Sequence, residues 1–308
     1  MVDNFKAGFV AFIGRPNTGK STLTNAMVGE KVAITSAKPQ TTRRAIRGIV
    51  NNKSYQLIIV DTPGLHRPRT LLGERLNAVV ESTVASVEVL GFCVPADEAI
   101  GPGDRFIAEN VIKSGSKRPM IAIVTKADKV SSDQLAAQLM AVHSLGEELL
   151  KDGWAEIIPV SAINDYQVDK VADLLANYLP KSPKLYPDDE YTDETIESMI
   201  AEYVREAALE GVHDELPHSL AVEVEEYSRR ENRPEDKPLT DISVSLFVER
   251  NSQKAIIIGK KGSRLREIGQ KARKNIEELL QTQVFLDIRV KVAKEWQRDP
   301  KQLNRLGF

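Results

Sequence analysis

Residues 14–21, Gly14, Arg15, Pro16, Asn17, Thr18, Gly19, Lys20 and Ser21, constrain the fold more than any other part of this 308-residue chain. They satisfy G-x-x-x-x-G-K-[ST] at every fixed position. An apolar run, Gly8 to Ile13, leads into them, and a helix-like stretch, Ser21 to Val28, leaves them. A strand, a glycine-rich turn and a helix in that order form a cradle whose backbone N–H groups point inward at phosphate oxygens. Lys20 is then placed to reach the β- and γ-phosphates, and the Ser21 hydroxyl to ligate Mg²⁺. A chance glycine turn would not need both flanks to match.

The first half of the chain repeats the pattern around this turn. Apolar runs at Tyr55–Val60, Val87–Val94, Met120–Val124 and Ile157–Val160 alternate with helix-like stretches at Leu71–Ser86 and Ser132–Leu150. Such alternation predicts an α/β domain built on a mostly parallel sheet, with ligands at the carboxyl ends of its strands. Three motifs follow apolar runs at those ends. Asp61, Thr62, Pro63 and Gly64 offer a carboxylate for Mg²⁺ through water and a backbone N–H for the γ-phosphate. Thr125, Lys126, Ala127 and Asp128 offer a carboxylate that accepts from both the ring N–H and the exocyclic amine of guanine. Adenine presents no such pair, so it would leave the carboxylate unpaired. The Lys126 stem can lie along the base plane, and Ser161 and Ala162 can present a backbone N–H to the base carbonyl.

The pattern changes at Leu179–Pro187, where three prolines and then Asp188, Asp189 and Glu190 read as a linker. Beyond it come a helix (Asp193–Glu210), two alternating strands joined by a polar loop, two helical stretches and a third alternating strand. This α-β-β-α-α-β order predicts a smaller α+β domain with a three-stranded sheet backed by helices. Gly259, Lys260, Lys261 and Gly262 lie between its two central helices. A G-x-x-G loop there is the nucleic-acid backbone clamp of the KH module, and Arg264 follows it closely. Charge agrees. Residues 241–308 carry 15 Lys+Arg against 8 Asp+Glu, whereas residues 183–240 carry 6 against 17. A basic end attracts polyanions, although a charge run is as often a solvated face. The single cysteine, Cys93, excludes a disulfide framework and reads as a buried strand residue. The four histidines are not spaced as a metal cluster, and Trp154 and Trp296 read as packing residues. No apolar stretch reaches the ~20 residues of a membrane span, and no secretory signal opens the chain, which favours the cytoplasm.

The ordered set Gly14–Ser21, Lys38-Pro-Gln-Thr-Thr-Arg43, Asp61–Leu65, Thr125–Asp128 and Ser161–Ala162 resembles the Era-like branch of the translation-factor-class GTPases. With one KH-type domain after the linker, the resemblance spans essentially the whole chain. The expected organisation is an Era-type GTPase domain over residues 1–180, a linker over 181–192 and a KH-type domain with a C-terminal tail over 193–308. The resemblance implies binding of GTP and GDP with Mg²⁺ by the residues above, together with Thr22 and Leu65. Lys20, Thr42, Asp61 and Gly64 would serve hydrolysis, and Ser21, Thr42 and Asp61 the metal. Thr41 is the alternative to Thr42 at that position. The family also implies K⁺ at Asn17, whose plain reading is a turn former. Gly259, Lys260, Lys261, Gly262 and Arg264 would bind RNA. The implied partners are the 3′ end of small-subunit ribosomal RNA and the pre-ribosomal small subunit, with peripheral contact at the inner membrane; a monomer is expected.

Two departures stand out. Thr125 occupies a position where the family usually has Asn, which ties the base loop to the phosphate loop. Thr keeps one hydroxyl and loses the amide, so weaker guanine-nucleotide binding is expected, and an ATPase of RNA metabolism stays open. Leu65 stands where many small GTPases carry a water-orienting glutamine, so slow intrinsic hydrolysis is expected. The other open alternative is an RNA-binding assembly scaffold whose nucleotide site barely turns over.

Overall fold

The computed structural model describes residues 4–308 except 37, 39–40, 66–67, 114–117, 213–215, 232 and 235–237. The chain divides into two compact units. The first holds residues 1–35, 42–69 and 73–193, and the second holds residues 36–41, 70–72 and 194–308.

In the first unit the elements are β1 (Lys6–Ile13), α1 (Lys20–Val28), β2 (Ile46–Asn51), β3 (Tyr55–Asp61), α2 (Leu71–Ser86), β4 (Val89–Pro95), α3 (Pro102–Lys113), β5 (Met120–Thr125), α4 (Ser132–Leu149), β6 (Glu156–Pro159) and α5 (Val168–Asn177). The strands form one sheet in the order β2-β3-β1-β4-β5-β6. All neighbours are parallel except β2, which runs antiparallel to β3. β3, β4 and β5 are buried along their full length. That explains their near-continuous apolar runs, since helices cover both faces. Two cores result. One face packs Phe12, Leu23, Leu57, Ile123 and Leu175, and the other packs Ile13, Val80, Phe92, Ile107 and Val124. Cys93 is buried in β4 as expected, and burial pushes its thiol up to about 12. Pro95 closes that strand. Trp154 packs on Phe92 and donates to the Val142 carbonyl.

The proline-rich stretch is not slack. Gln56 Oε1 accepts from the N–H groups of Leu185 (2.7 Å) and Tyr186 (3.0 Å), and Gln56 Nε2 donates to the Tyr186 carbonyl. Farther along, the Ile49 N–H donates to the Tyr191 carbonyl. Residues 185–191 thus strap the open edge of β2, which would otherwise offer unpaired backbone groups.

The second unit contains α6 (Ile196–Leu209), α7 (Leu216–Ser219), β7 (Ala221–Arg229), β8 (Leu239–Val248), α8 (Asn251–Ile258), α9 (Ser263–Leu280), β9 (Gln283–Val292) and α10 (Pro300–Arg305). Its sheet order is β7-β8-β9, with β7 antiparallel and β9 parallel to β8. This is the expected helix-backed three-stranded α+β domain. Trp296 is 0% exposed, donates to the Ser219 carbonyl and stacks on Phe308. It is a packing residue. No helix among the described residues is long and apolar enough to cross a membrane.

Candidate functional site

β1 ends at Ile13 and α1 starts at Lys20, so the phosphate loop occupies the carboxyl end of a central strand. Lys20 is buried, and its ammonium donates to the carbonyls of Arg15 (2.8 Å) and Gly14 (3.1 Å). Burial lowers its pKa. Thr18 donates to the Arg15 carbonyl at 3.0 Å, and Asn17 adopts a left-handed backbone, φ 65°. Thr22 lies half-buried on the first turn of α1. Pro16 packs against Gly64, where a Cβ would meet the Pro16 nitrogen at 2.6 Å. Only glycine lets the Asp61–Gly64 turn approach the phosphate loop this closely.

Asp61 ends β3 and is fully buried. Its Oδ2 accepts from the Ser21 hydroxyl at 2.6 Å and the Thr42 hydroxyl at 3.3 Å, and those two hydroxyls lie 2.9 Å apart. Its Oδ1 is buried without a hydrogen-bond partner among the described residues. Burial raises the Asp61 pKa, against the opposing hydroxyls and the Lys20 charge. An orphaned carboxylate oxygen beside two hydroxyls suits a hard, oxygen-seeking cation such as Mg²⁺. The geometry also separates the two threonines, because Thr41 donates to the Lys38 carbonyl at 2.7 Å whereas Thr42 joins Ser21 and Asp61. Thr62 is committed elsewhere, to the Phe12 carbonyl at 2.6 Å, and Pro63 and Leu65 are buried beside it.

The base-reading end is assembled from three loops. Thr125 closes β5, and its hydroxyl donates to the Thr18 carbonyl at 2.5 Å. The one hydroxyl that Thr keeps thus ties the base loop to the phosphate loop. Asp128 is exposed and receives the Ser161 hydroxyl at 2.6 Å, which fixes the carboxylate and leaves its other oxygen to a ligand. The Ala127 N–H donates to the Val160 carbonyl, and Ala162 follows Ser161 in the same loop. The Lys126 ammonium sits 3.4 Å from Asp97 and 3.5 Å from Glu98, which holds its stem in place. Sequence reasoning missed this acidic loop and its extension. Arg15 pairs with Glu98 at 3.2 Å and with fully buried Asp104 at 2.8 Å, and Asp104 also accepts from the Gly101 N–H. Carboxylates after β4 thus brace both the phosphate loop and the base loop. The signal was legible as an acidic residue in the first turn of α3.

In the second unit, Gly259 (φ 70°), Lys261 (φ 52°) and Gly262 (φ 76°) all have left-handed backbones. A Cβ on Gly259 would meet the Arg264 backbone nitrogen at 3.0 Å. Lys260 and Lys261 are exposed and have no ion pair among the described residues, and the same holds for Arg266, Arg273 and Lys274. Arg264 differs from expectation. Its guanidinium donates to the carbonyls of Ala208, Glu210 and Gly211, closing the end of α6. It anchors the loop and does not reach outward. Beside the loop runs a groove of about 420 Å³ between α9 and β9. Leu265, Gly269, Leu286 and Ile288 line it, with Arg266 and Arg273 on its rim. Leu265 is half-buried and faces this groove. The histidines contribute nothing visible here: His143 is exposed beside Glu147, and His66, His213 and the His218 side chain lie outside the described residues. No cluster of metal-binding side chains occurs among the described residues beyond the Asp61 site.

Comparison with known proteins agrees with both sites. Residues 9–126 match the family described as 50S ribosome-binding GTPase, and residues 215–297 match the KH domain family. GTPase Era of Streptomyces coelicolor is 63% identical over 303 residues, covering 98% of this chain and 95% of that one. The chain belongs to the Era family of GTPases. GTPase Era of Mycobacterium avium is 62% identical over 99% of both chains. Among solved structures, Era in complex with MgGDPNP and nucleotides 1506–1542 of 16S ribosomal RNA is 34% identical, with a TM-score of 0.92 over 98% of this chain and 99% of that one. An Aquifex aeolicus Era variant bound to GDP and AlF4⁻ is also 34% identical, with a TM-score of 0.91 over the same shares. Membership makes this chain an enzyme that hydrolyses GTP to GDP and phosphate, which sets aside the ATPase and inert-scaffold alternatives.

Two predictions arise from this geometry. Thr125→Val keeps the shape and strips the hydroxyl, leaving the Thr18 carbonyl without its donor, a loss of about 1–3 kcal/mol. Affinity for a fluorescent GTP analogue should fall about tenfold, while competition by ATP stays weak because Asp128 is untouched. Asp61→Asn should separate stability from binding. A carboxyl whose folded pKa is raised holds its proton more tightly when folded, so its ionised form costs stability at neutral pH, and that cost fades as pH falls through the raised value. Without nucleotide and Mg²⁺, the variant should melt at or above the wild-type temperature at pH 7. The gap should close on acidification, and Mg²⁺-dependent GTP affinity should drop about tenfold or more. Calorimetry and nucleotide titration read the two effects.

Proposed function

We propose that this GTPase is a nucleotide-controlled switch that binds the 3′ end of small-subunit ribosomal RNA and assists assembly of that subunit. The observation that supports it most is the double-lysine loop opening onto the α9–β9 groove. Its cations are unpaired among the described residues, as are Arg266, Arg273 and Lys274 of α9, whereas several basic residues elsewhere in that unit are compensated. Arg230 pairs with Asp241, Lys291 with Glu225 and Arg305 with Glu223 across the sheet, and Arg289 with Asp287. Counterion release from an RNA backbone can draw on the free cations of the loop and α9. The relative solved with nucleotides 1506–1542 of 16S ribosomal RNA shares this organisation across nearly the whole chain.

The chain's own residues divide the work. Lys20 and the phosphate-loop N–H groups grip the β- and γ-phosphates, exchanging the Lys20 bonds to Gly14 and Arg15 for phosphate oxygens. Ser21, Thr42 and Asp61 would hold Mg²⁺, which neutralises charge between the phosphates when bound. The Gly64 N–H is positioned to register the γ-phosphate, and Thr42 to order with it. Asp128, fixed by Ser161, selects guanine. Leu65 cannot orient water, so intrinsic turnover is slow and the full rate needs bound RNA, a ribosomal partner or K⁺. By linkage, a nucleotide that alters RNA affinity is itself held more or less tightly when RNA is present.

The test is anisotropy of a labelled single-stranded RNA copying the 3′ end of 16S ribosomal RNA, with GTP-analogue-loaded and GDP-loaded protein. Lys260→Glu with Lys261→Glu should weaken binding and lower the salt dependence by a slope of about 2. Wild-type binding that is absent, or unchanged in the double variant, defeats the RNA reading. For K⁺, Asn17 is the proposed contact, and phosphate release should be faster in K⁺ than in Na⁺. Equal rates would return Asn17 to the role its left-handed backbone already supports, that of a turn former.

A further inference from the structure

Residues 203–209 of α6 are buried without a break, and Arg205 among them is only 2% exposed. A guanidinium in such a place is costly unless its donors are taken up. Its Nε donates to Glu202 Oε1 at 2.9 Å, and its Nη2 donates to Glu202 Oε2 and to the Thr41 carbonyl. Its Nη1 is buried without a hydrogen-bond partner among the described residues. The pair with Glu202 does not explain the arginine. Charges three residues apart on a helix can pair on its solvent face, and an apolar side chain at position 205 would pack without an orphaned donor. What the arginine adds is a charged donor for one backbone carbonyl 164 positions earlier in the chain.

That carbonyl stands at a particular place. Residues 36–41 belong with residues 194–308 in the second unit, whereas Thr42 belongs to the first. Thr41 is held there twice, by its hydroxyl on the Lys38 carbonyl at 2.7 Å and by its own carbonyl on Arg205. The next residue carries the hydroxyl that lies 2.9 Å from Ser21 Oγ and 3.3 Å from Asp61 Oδ2. A peptide unit is planar, so the Thr41 oxygen and the Thr42 nitrogen and Cα move together. Holding that oxygen fixes the plane from which Thr42 departs. Only the torsions of Thr42 itself are then left to bring its hydroxyl to the carboxylate.

We infer that Arg205 is a positioning residue for GTP hydrolysis, which keeps the Thr42 hydroxyl at the Ser21–Asp61 site by gripping the peptide in front of it. The inference rests on the reading of Thr42 as a Mg²⁺ ligand and adds that a side chain of the second unit sets that ligand. The guanidinium is spent on Glu202 and Thr41, so it acts through the backbone. Groups that orient a metal ligand typically change metal affinity about as strongly as the ligands do, by about 10–100-fold.

The experiment uses the full-length chain with Arg205→Met, with Thr42→Ala and with both together. Thermal unfolding without nucleotide checks the fold. A fluorescent, non-hydrolysable GTP analogue and GDP are then titrated over a series of Mg²⁺ concentrations. In Arg205→Met the Mg²⁺ concentration for half-maximal binding of the GTP analogue should rise about tenfold. GDP binding should hold, because the loop that carries Thr42 is ordered only by the γ-phosphate. Single-turnover hydrolysis should slow alongside. Once Thr42→Ala is present, Arg205→Met should add nothing, since the two act as one unit. An unchanged Mg²⁺ midpoint, an equal loss for the GTP analogue and GDP, or a loss that adds in full to that of Thr42→Ala overturns the inference and leaves Thr42 as a metal ligand. Wild-type Mg²⁺ dependence in Thr42→Ala overturns the ligand reading and the inference with it. Should Arg205→Met fail to fold, Glu202→Ala frees the guanidinium on one side and reads the same midpoint: a smaller rise supports the inference, and no rise overturns it.

Discussion

Two buried charges at the ends of adjacent strands govern the first unit. Lys20 follows β1 and Asp61 closes β3, and Phe12 of β1 pairs in register with Asp61. Burial lowers the pKa of the lysine and raises that of the aspartate, so each charge is disfavoured where it sits. Loop carbonyls partly satisfy the ammonium, and two hydroxyls satisfy one carboxylate oxygen and leave the other orphaned. A site holding one under-satisfied cation and one under-satisfied anion favours a ligand that carries both signs. A magnesium–triphosphate complex meets that description, and neither a bare metal nor a bare phosphate does so equally well. The extensive apolar sheet around them makes the arrangement tenable, because it fixes both side chains where water cannot relieve them.

The second unit handles charge in the opposite way. On its sheet, acidic residues of β7 and β8 pair with Arg230, Lys291 and Arg305. Such exposed pairs contribute little to stability. Their consequence for binding is larger, since a compensated cation has less to gain from a phosphate. The loop and α9 carry cations that no such pair compensates among the described residues: Lys260, Lys261, Arg266, Arg273 and Lys274.

Much of this was legible from residues. The five apolar runs became five strands because a sheet covered on both faces leaves an uninterrupted signature, and the phosphate loop sits where its flanks required. β2, α3 and α5 escaped for different reasons. β2, Ile46–Asn51, carries Arg47 and Gly48 and runs along an edge, so neither alternation nor a continuous run marks it. α3 opens on Pro102 and Gly103, which read as a loop, although proline in a first turn followed by Asp104 also signals a helix start. α5 was readable throughout: Val168, Val171, Ala172, Leu175 and Ala176 recur at helical spacing and all are buried. At the sites, residue identity was legible and side-chain destination was not. Arg264 sits beside a nucleic-acid clamp in sequence, yet its guanidinium turns back to close a helix, because three carbonyls at the end of α6 needed donors.

Thr125 shows why position outweighs residue type in such a site. A threonine hydroxyl has one proton to give, and here it goes to the Thr18 carbonyl across 107 positions of sequence. An asparagine would bring a second donor, whereas here the neighbouring groups are held by other side chains. Lys20 and Thr18 both donate to the Arg15 carbonyl, Asp104 and Glu98 hold the Arg15 guanidinium, and Asp97 with Glu98 holds Lys126. With the phosphate loop braced by carboxylates and tied to the end of β5 by one hydroxyl, the loop that reads guanine and the loop that grips phosphate share their supports. Base reading and phosphate grip therefore rest on one connected set of side chains, held at its centre by a threonine where the family usually has an asparagine.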